Sequence, residues 1–269
     1  MRIHALTWNV FHGRDHPPGE ELFTRRSWLL GTEERNETHL QVNRDLFSEF
    51  AGVLAGATWD VALLQEFPPR WADAMARACG ADMQLTLTSR NWLRSLRTPV
   101  ARRRPDTMGS WEGGANVILA RNALHSRMGA EEVVLRGPPE RRMVTLARLE
   151  PGLVVANLHA SGPSPLAAED TRMAAEAAVN WAGGDPLILG GDLNVSPGES
   201  GIFDELARRF GLGPSTGERS IDHLLSRGLE TVEPPAPWPA AAREVREGGR
   251  AIRLSDHPPV QAAYELASA

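Results

Sequence analysis

Short apolar runs recur along the chain, and each run ends in, or is followed by, polar residues. The runs cover residues 3–10, 61–64, 153–156, 186–189 and 251–254. Apolar runs of this length, bounded by polar residues, are typical of buried β-strands. The polar residues therefore lie where strands end and loops begin, which is where α/β proteins commonly build their active sites.

Other segments have the spacing of amphipathic helices. Apolar residues recur at helical spacing between Leu40 and Leu54, and residues 71–78 and 167–181 also favour helices. Residues 202–210 form a fourth predicted helix, for which Ser200 is a plausible N-cap and Gly211 a termination signal.

The remaining pattern predicts more strands and connecting loops. Residues 143–149 and 153–159 flank Glu150-Pro151-Gly152 and predict a hairpin. Residues 117–120, 221–225 and 260–266 are strand-like, whereas residues 14–36 and 234–239 are expected to be loops. Hairpins mixed with helices favour mixed sheets. Because no clean linker interrupts the chain, we expect one domain over residues 1–269.

Composition excludes several kinds of protein. The net charge is −5, and all 29 basic residues are arginine, which excludes a Schiff-base or P-loop lysine. The one cysteine, Cys79, cannot form an internal disulfide or a cysteine metal cluster and is expected to be buried. No stretch of about 18 apolar residues is present, so we expect no membrane span and a cytoplasmic, monomeric protein.

The polar residues at the strand ends have a shared chemistry. Glu66 and Asp192 offer carboxylate oxygens, and Asn9 and Asn194 add amide oxygens. Such hard oxygen donors favour Mg²⁺, with Mn²⁺ as the alternative. His159 and His257 can transfer protons near neutral pH. The set fits metal-assisted hydrolysis of a phosphate ester by water.

Five motifs carry a specific resemblance. They are Thr7-Trp8-Asn9-Val10, Leu64-Gln65-Glu66, Asn157-Leu158-His159, Gly190-Gly191-Asp192-Leu193-Asn194 and Ser255-Asp256-His257. Their order resembles that of the endonuclease/exonuclease/phosphatase superfamily, which includes deoxyribonuclease-I-like nucleases, abasic-site endonucleases, neutral sphingomyelinases and inositol-polyphosphate 5-phosphatases. Residues 114–121 resemble its middle strand, and Ile221-Asp222-His223 a further segment, so the likeness spans residues 3–262.

The resemblance implies a fold and a set of roles. The fold is a four-layer α/β sandwich with two central mixed, mainly antiparallel sheets. Glu66 would be the main metal ligand, with Asn9 nearby and Asp256 either at the metal or orienting a histidine. Asp192 would orient or deprotonate water. In the same comparison, Asn194 would hold the phosphate, His159 would stabilise the transition state or help the leaving group, and His257 would bind phosphate or act as acid/base.

Several further residues are candidates of lower specificity. Asp222 is either catalytic support or a structural hydrogen-bond partner, and His12, three residues beyond Asn9, is weighed as part of the mouth of the site. Abasic-site nucleases use a tyrosine in the middle of the chain, whereas the only tyrosine here is Tyr264. Trp111 and Asn116 are the two residues considered for the place of that tyrosine.

One basic segment is relevant to the choice of substrate. Residues 90–104 contain six arginines and Trp92, with no acidic residue before Asp106. One interpretation is a mobile, solvated loop; the other is a phosphate clamp that uses Arg102, Arg103 and Arg104.

The sequence thus predicts a Mg²⁺-dependent phosphoesterase that cleaves phosphodiester bonds, with a nuclease slightly favoured because of the basic segment. The alternative is a small-molecule or lipid-headgroup phosphodiesterase or phosphatase, which the acidic net charge and the missing mid-chain tyrosine favour. A non-catalytic binding module on the same fold is a third reading. It is disfavoured because all the polar site residues are present.

Overall fold

The computed structural model describes residues 1–88, 94–103, 105–124, 127–137, 141–162 and 165–267. The helices are α1 (Arg25–Leu30), α2 (Phe47–Gly56), α3 (Ala72–Cys79), α4 (Arg94–Arg103), α5 (Pro105–Met108), α6 (Pro165–Ala182) and α7 (Ile202–Phe210). The strands are β1 (Arg2–Asn9), β2 (Glu34–Arg35), β3 (Leu40–Gln41), β4 (Val61–Phe67), β5 (Asp82–Leu87), β6 (Ala115–Ala120), β7 (Arg127–Arg136), β8 (Arg142–Leu149), β9 (Leu153–His159), β10 (Leu187–Asp192), β11 (Asp222–Arg227), β12 (Glu230–Pro237), β13 (Glu244–Glu247), β14 (Arg250–Arg253) and β15 (Val260–Glu265).

Two large sheets form the centre of the fold. The first has the strand order β12-β15-β1-β4-β6-β5, and the second has the order β11-β10-β9-β8-β7. The pairs β1–β4 and β9–β10 are parallel, and the other pairs in these two sheets are antiparallel. The predicted pair of mixed, mainly antiparallel sheets is therefore confirmed.

Alternation along the strands produces four layers. On β4, Leu63 packs into an apolar cluster between the sheets, while its neighbour Leu64 packs into a second cluster with Phe50 of α2 and Met75 of α3. A third cluster joins the outer face of the second sheet to α6 and α7. Because side chains alternate across a strand, a central strand contributes to two cores at once. This explains why the strand sequences are almost continuously apolar.

Most predicted elements are present with small shifts at their ends. The hairpin of β8 and β9, the helices α3, α6 and α7, and the strands β1, β4, β6, β10, β11, β14 and β15 are confirmed. Gly211 ends α7 in the left-handed conformation, as predicted, but the N-cap is Gly201 and not Ser200. The Ser200 hydroxyl accepts a hydrogen bond from the backbone N–H of Ile202 at 3.3 Å. Cys79 is buried, as predicted.

The helix predicted from Leu40 onward begins later than expected. Leu40 and Gln41 form β3, and the N–H of Val42 donates to Asp15 Oδ2 at 3.0 Å, which keeps this segment extended. Helix α2 begins only at Phe47, whose N–H donates to Asp45 Oδ1. The predicted helix was therefore wrong over its first turns because tertiary contacts outweigh local spacing.

Two predicted loops contain regular structure. Residues 14–36 include α1 and β2. Residues 230–237 form β12 at the edge of the first sheet, so the loop predicted for residues 234–239 was mostly wrong. Proline is tolerated at an edge because the side of the strand that faces solvent needs no N–H donor.

Asn157 links the two sheets through their apolar interior. From β9 its Nδ2 donates to the carbonyl oxygens of Leu64 at 2.9 Å and Val117 at 2.8 Å in the first sheet. Its Oδ1 accepts a hydrogen bond of 2.7 Å from Gln65 Nε2. Asn157 thus fixes the relative position of the two sheets rather than reacting with substrate.

We expect Asn157→Leu to lower the free energy of unfolding by about 3 kcal/mol, because buried carbonyl oxygens would lose their donors. Urea denaturation followed by circular dichroism measures this change. The control is Thr145→Val: Thr145 is the strand partner of Asn157 on β8, and its buried hydroxyl has no hydrogen-bond partner within the described residues. Equal effects of the two substitutions would contradict the bridging role.

Candidate active site

Strand register places three predicted site residues side by side. In the second sheet, Asp192 at the end of β10 pairs with His159 of β9 on one side and with Asp222 of β11 on the other. His159 Nε2 lies 3.5 Å from Asp192 Oδ2. The strand ends therefore bring an imidazole and two carboxylates to one edge of the sheet.

The first sheet meets this group from the opposite side. Asn9 at the end of β1 donates from Nδ2 to Asp192 Oδ2 at 2.9 Å, which joins the two sheets at the site. Asn9 Oδ1 accepts from the N–H of Phe11 at 2.9 Å. Glu66 on the neighbouring strand β4 places Oε1 3.9 Å from His159 Nε2.

An irregularity in β4 directs Glu66 toward the site. The pairing of β4 with β6 shifts between Leu64 and Phe67, and Glu66 has a φ of 49°. Asn194 and Ser255 also have positive φ, at 50° and 61°. Such strained backbone persists only where the surrounding structure holds it and clusters at functional sites.

The glycines before Asp192 are required by close packing. Gly191 has a φ of 138°, and a Cβ atom there would lie 1.8 Å from the carbonyl oxygen of Leu158. A Cβ at Gly190 would approach the carbonyl oxygen of His223 to 2.8 Å. The Gly-Gly-Asp sequence thus lets β10 lie close to its neighbours and place Asp192 between them.

His257 is oriented by Asp222. Its Nδ1 lies 2.8 Å from Asp222 Oδ2, and its Nε2 faces Asp192 Oδ2 at 3.8 Å. The residue next to it in sequence, Asp256, lies farther away, with Oδ1 4.0 Å from His257 Nε2. The support role considered for Asp222 therefore has a definite geometry.

The loop that carries His257 is fixed from several sides. Trp8 Nε1 donates to the carbonyl oxygen of His257 at 3.0 Å, and the Ser255 hydroxyl donates to the carbonyl oxygen of Asn9 at 2.6 Å. Arg243 Nη1 donates to the carbonyl oxygens of Leu254, Ser255 and His257. No sequence pattern indicated Arg243, because its partners are backbone atoms of a separate loop.

Burial and charge shift the pKa values in opposite directions. Burial, followed by the charge of Asp222, raises the pKa of Asp192 to about 7. Burial lowers the pKa of His159 to about 4, so this imidazole is neutral at pH 7. Burial also lowers the pKa of His257, but the hydrogen bond and charge of Asp222 outweigh it and raise this pKa to about 10. A neutral and a protonated imidazole thus flank Asp192.

The donor set fits a divalent cation. Ligand atoms of Asp192, Asp222 and His257 lie within 4.8 Å of one another, and Asp222 Oδ1 is buried without a hydrogen-bond partner in the described chain. Glu66 contributes a third carboxylate near His159. Because His257 Nδ1 already contacts Asp222, the carboxylate oxygens are better metal ligands than the imidazole of His257. Oxygen donors favour Mg²⁺ or Mn²⁺.

The other candidates occupy different positions. Asn194 donates its N–H to Asp192 Oδ1 at 3.1 Å and its Nδ2 to the carbonyl oxygen of Ala160 at 3.1 Å. Asn116 is buried and donates to the carbonyl oxygen of Met143 at 2.9 Å. Trp111 is half exposed beside Arg97.

The basic segment is partly helical. Residues 94–103 form α4, so the loop interpretation was wrong for this part. Arg102 is 71% exposed, with Nε 3.6 Å from Asp45 Oδ2, and Arg103 is exposed. Arg90, Trp92 and Arg104 lie outside the described residues.

His12 is closer to the chemistry than its sequence context indicated. Its Nε2 lies 3.2 Å from Glu66 Oε2, and its φ is 53°. The available signal was its distance of three residues from Asn9. His12 therefore belongs with Glu66 at the mouth of the site.

The sequence matches a known protein family over the segments that form this site. Residues 6–257 match the Endonuclease/Exonuclease/phosphatase family. The chain belongs to this family. Its members are metal-dependent hydrolases of phosphate esters, and so is this chain.

No curated protein sequence matches the chain. No helix in the described part is long and apolar enough to cross a membrane.

Solved structures of family members share the fold. A family protein from Bacteroides thetaiotaomicron is 14% identical, with a TM-score of 0.66 and coverage of 100% of this chain and 99% of that one. A mannosyl-6-phosphatase from the same species is 15% identical, with a TM-score of 0.65 and coverage of 98% and 100%. TDP2 from C. elegans is 13% identical, with a TM-score of 0.59 and coverage of 98% and 75%. At these identities the likeness concerns the fold alone.

His223 supports the site indirectly, through a hydrogen bond to the residue that follows Asn194. The backbone N–H of Thr216 donates to its Nδ1 at 3.2 Å, so its Nε2 carries the proton and donates to the carbonyl oxygen of Val195 at 3.1 Å. Val195 follows Asn194, so His223 fixes the segment that positions that residue. Burial lowers the pKa of His223 to about 4.

Protonation of His223 is expected to destabilise the fold in acid. The unfolded chain takes up a proton near the usual pKa of about 6.5, whereas folded His223 resists until about pH 4. This contribution to stability is therefore complete above about pH 6.5. It is lost as the pH falls toward 4, by at most about 1.4 kcal/mol per pH unit. Urea midpoints between pH 4.5 and 7.5 should depend less on pH in His223→Gln; an unchanged slope would contradict this assignment.

Proposed function

We propose that the chain hydrolyses a phosphate ester by attack of water positioned at Asp192. The observation that carries this proposal is the placement of Asp192, which Asn9 and the N–H of Asn194 hold between His159 and His257. A carboxylate fixed by two donors, with an imidazole on each side, can orient water and manage the protons of an ester cleavage.

The proposed roles follow from these contacts. Asp192 accepts a proton from the water molecule while the water oxygen bonds to phosphorus and the ester P–O bond breaks. His257, which Asp222 keeps oriented, donates a proton to the leaving oxygen. His159, close to both Asp192 and Glu66, stabilises charge on the phosphate, and Asn194 contacts a phosphate oxygen.

A divalent cation completes the proposal. Glu66 would hold it, with Asp256 and Asp222 Oδ1, which has no hydrogen-bond partner among the described residues, as further oxygen donors. Asn9 is assigned to positioning Asp192, because both ends of its amide already make hydrogen bonds. When bound, the cation neutralises negative charge on the phosphate oxygens. Mg²⁺ is the proposed metal, with Mn²⁺ as the alternative.

Asp192→Asn and His257→Ala should each lower kcat by at least about a hundredfold while the fold stays intact, since each removes a positioned proton-transfer group. Activity is measured with Mg²⁺, Mn²⁺ or EDTA on single- and double-stranded DNA, RNA, bis-p-nitrophenyl phosphate, sphingomyelin and inositol phosphates.

His4→Ala is the matched control. His4 Nδ1 lies 3.3 Å from Asp60 Oδ2, which makes a second histidine–aspartate pair at the opposite end of β1. Its rate should remain near that of the wild type. Near-wild-type rates in both Asp192→Asn and His257→Ala would refute the roles proposed for these residues.

A nuclease is the second candidate for the same chemistry, and the exposed arginines of α4 favour it. If α4 binds a nucleic-acid backbone, Arg102→Ala together with Arg103→Ala should raise KM for DNA or RNA and weaken its dependence on salt concentration. Arg208→Ala, at an exposed arginine of α7, is the control. An unchanged KM and salt dependence would remove the support for a nucleic-acid substrate.

A further inference from the structure

A second histidine–carboxylate pair lies at the catalytic centre, and none of the roles proposed above uses its imidazole. His12 Nε2 lies 3.2 Å from Glu66 Oε2, which is within the distance of a hydrogen bond. The two side chains are largely buried, with 16% and 22% of their surfaces exposed. Because an ionised carboxylate can only accept hydrogen bonds, His12 Nε2 is the donor of this pair.

The turn that carries His12 is attached to the strand that carries Glu66. The N–H of Val10 donates to the carbonyl oxygen of Gln65, the residue before Glu66, at 3.0 Å. The turn then closes through the N–H of Gly13, which donates to the carbonyl oxygen of Val10 at 2.7 Å. The main chains of the neighbouring strands β1 and β4 therefore bring His12 and Glu66 together.

Close packing on two sides holds the turn in place. Gly13 has a φ of 77°, and a Cβ atom there would lie 2.2 Å from the ring of Trp71, so the turn packs directly on this buried indole. On the other side, a Cβ atom at Gly114 would lie 3.4 Å from His12 Cε1. The imidazole is therefore enclosed between its own turn and the segment that precedes β6.

The backbone of the pair is strained. His12 has a φ of 53° and a ψ of 25°, a left-handed conformation that glycine adopts easily but that is costly for a residue with a Cβ atom. Glu66 has a φ of 49°. Strained residues of this kind concentrate at functional sites. A glycine would suit the turn better than His12 does, so the contribution of a histidine here lies in its imidazole.

The two oxygens of Glu66 have different neighbours. Oε1 lies 3.9 Å from His159 Nε2, on the side of the catalytic centre, whereas Oε2 faces His12. A donor on one oxygen fixes the plane of a carboxylate and so directs its other oxygen. Loss of such a donor typically weakens metal binding by about tenfold to a hundredfold.

We propose that His12 is a positioning residue, which holds Glu66 Oε2 and thereby keeps Oε1 available to the divalent cation. The inference rests on the proposed function, in which Glu66 holds the cation. His12 itself touches neither the cation nor the substrate. The arrangement reverses that of Asp222 and His257, where a carboxylate fixes an imidazole.

The test is the binding of Mn²⁺ alone, measured by calorimetry without substrate, so that the result does not depend on turnover. His12→Gly removes the imidazole and suits the left-handed backbone. It should bind Mn²⁺ at least about tenfold more weakly, while its melting temperature stays at or above that of the wild type. A purely structural histidine would give the opposite result, a lower melting temperature with unchanged Mn²⁺ affinity, and this result would overturn the inference.

Two amide variants separate the hydrogen bond from the ring. His12→Gln keeps an N–H near the position of Nε2, so its Mn²⁺ affinity should stay within about threefold of the wild type. His12→Asn tolerates the left-handed backbone, but its amide is too short to reach Glu66, so it should lose about tenfold in affinity. The Asn variant keeps the test valid even if His12→Gly does not fold.

Asn122→Gly is the matched control. Asn122 has a φ of 60°, and its Nδ2 donates to Asp60 Oδ1 at 2.8 Å. It is thus a second left-handed residue paired with a carboxylate, but Asp60 lies just before β4, at the end opposite Glu66. Its replacement should leave Mn²⁺ affinity unchanged. Equal weakening in His12→Gly and Asn122→Gly would contradict the role proposed for His12.

A double-mutant cycle with Glu66→Gln separates this inference from the proposed function. Glu66→Gln alone should weaken Mn²⁺ binding, and an unchanged affinity would refute the metal-binding role of Glu66 itself. In the Glu66→Gln background, His12→Gly should cause no further loss, because His12 acts through Glu66. A further loss in that background would show that His12 binds the cation directly, and the positioning role would then be wrong.

Discussion

The site depends on strand register. Within the second sheet, the parallel pair β9–β10 puts His159 beside Asp192, and the antiparallel pair β10–β11 puts Asp222 on the other side. A shift by one residue would turn every side chain of a strand to the opposite face. The hydrogen bond between Asn9 and Asp192 then fixes the first sheet against the second. The hydrogen bond that positions Asp192 for catalysis therefore also holds the two sheets together.

The sequence predicted which residues gather, because polar residues after apolar runs mark strand ends. It did not predict how they pair. Asp256 is adjacent to His257 in the chain, yet Asp222, 35 residues away, holds the ring at 2.8 Å. Contacts between separate strands leave no local signal. The backbone irregularity that directs Glu66 is equally invisible in a run of apolar residues.

Three of the strands that were not predicted share a location. β5, β7 and β12 lie at the edges of the two sheets. An edge strand has fewer apolar neighbours and tolerates charge and proline, as Glu131 and Glu132 in β7 and the prolines of β12 illustrate. Their sequences therefore lack the continuous apolar pattern that marked β4, β9 and β10.

The pairing of β1 with β15 has a consequence for synthesis of the protein. β1 leaves the ribosome before the other strands, but one of its neighbours is β15, and Trp8 Nε1 donates a hydrogen bond to the carbonyl oxygen of His257. Until those residues emerge, one edge of β1 is unpaired and open to association with other chains. The catalytic centre therefore stays incomplete until His257 has been synthesised, and chaperone protection of β1 would be most useful in that interval.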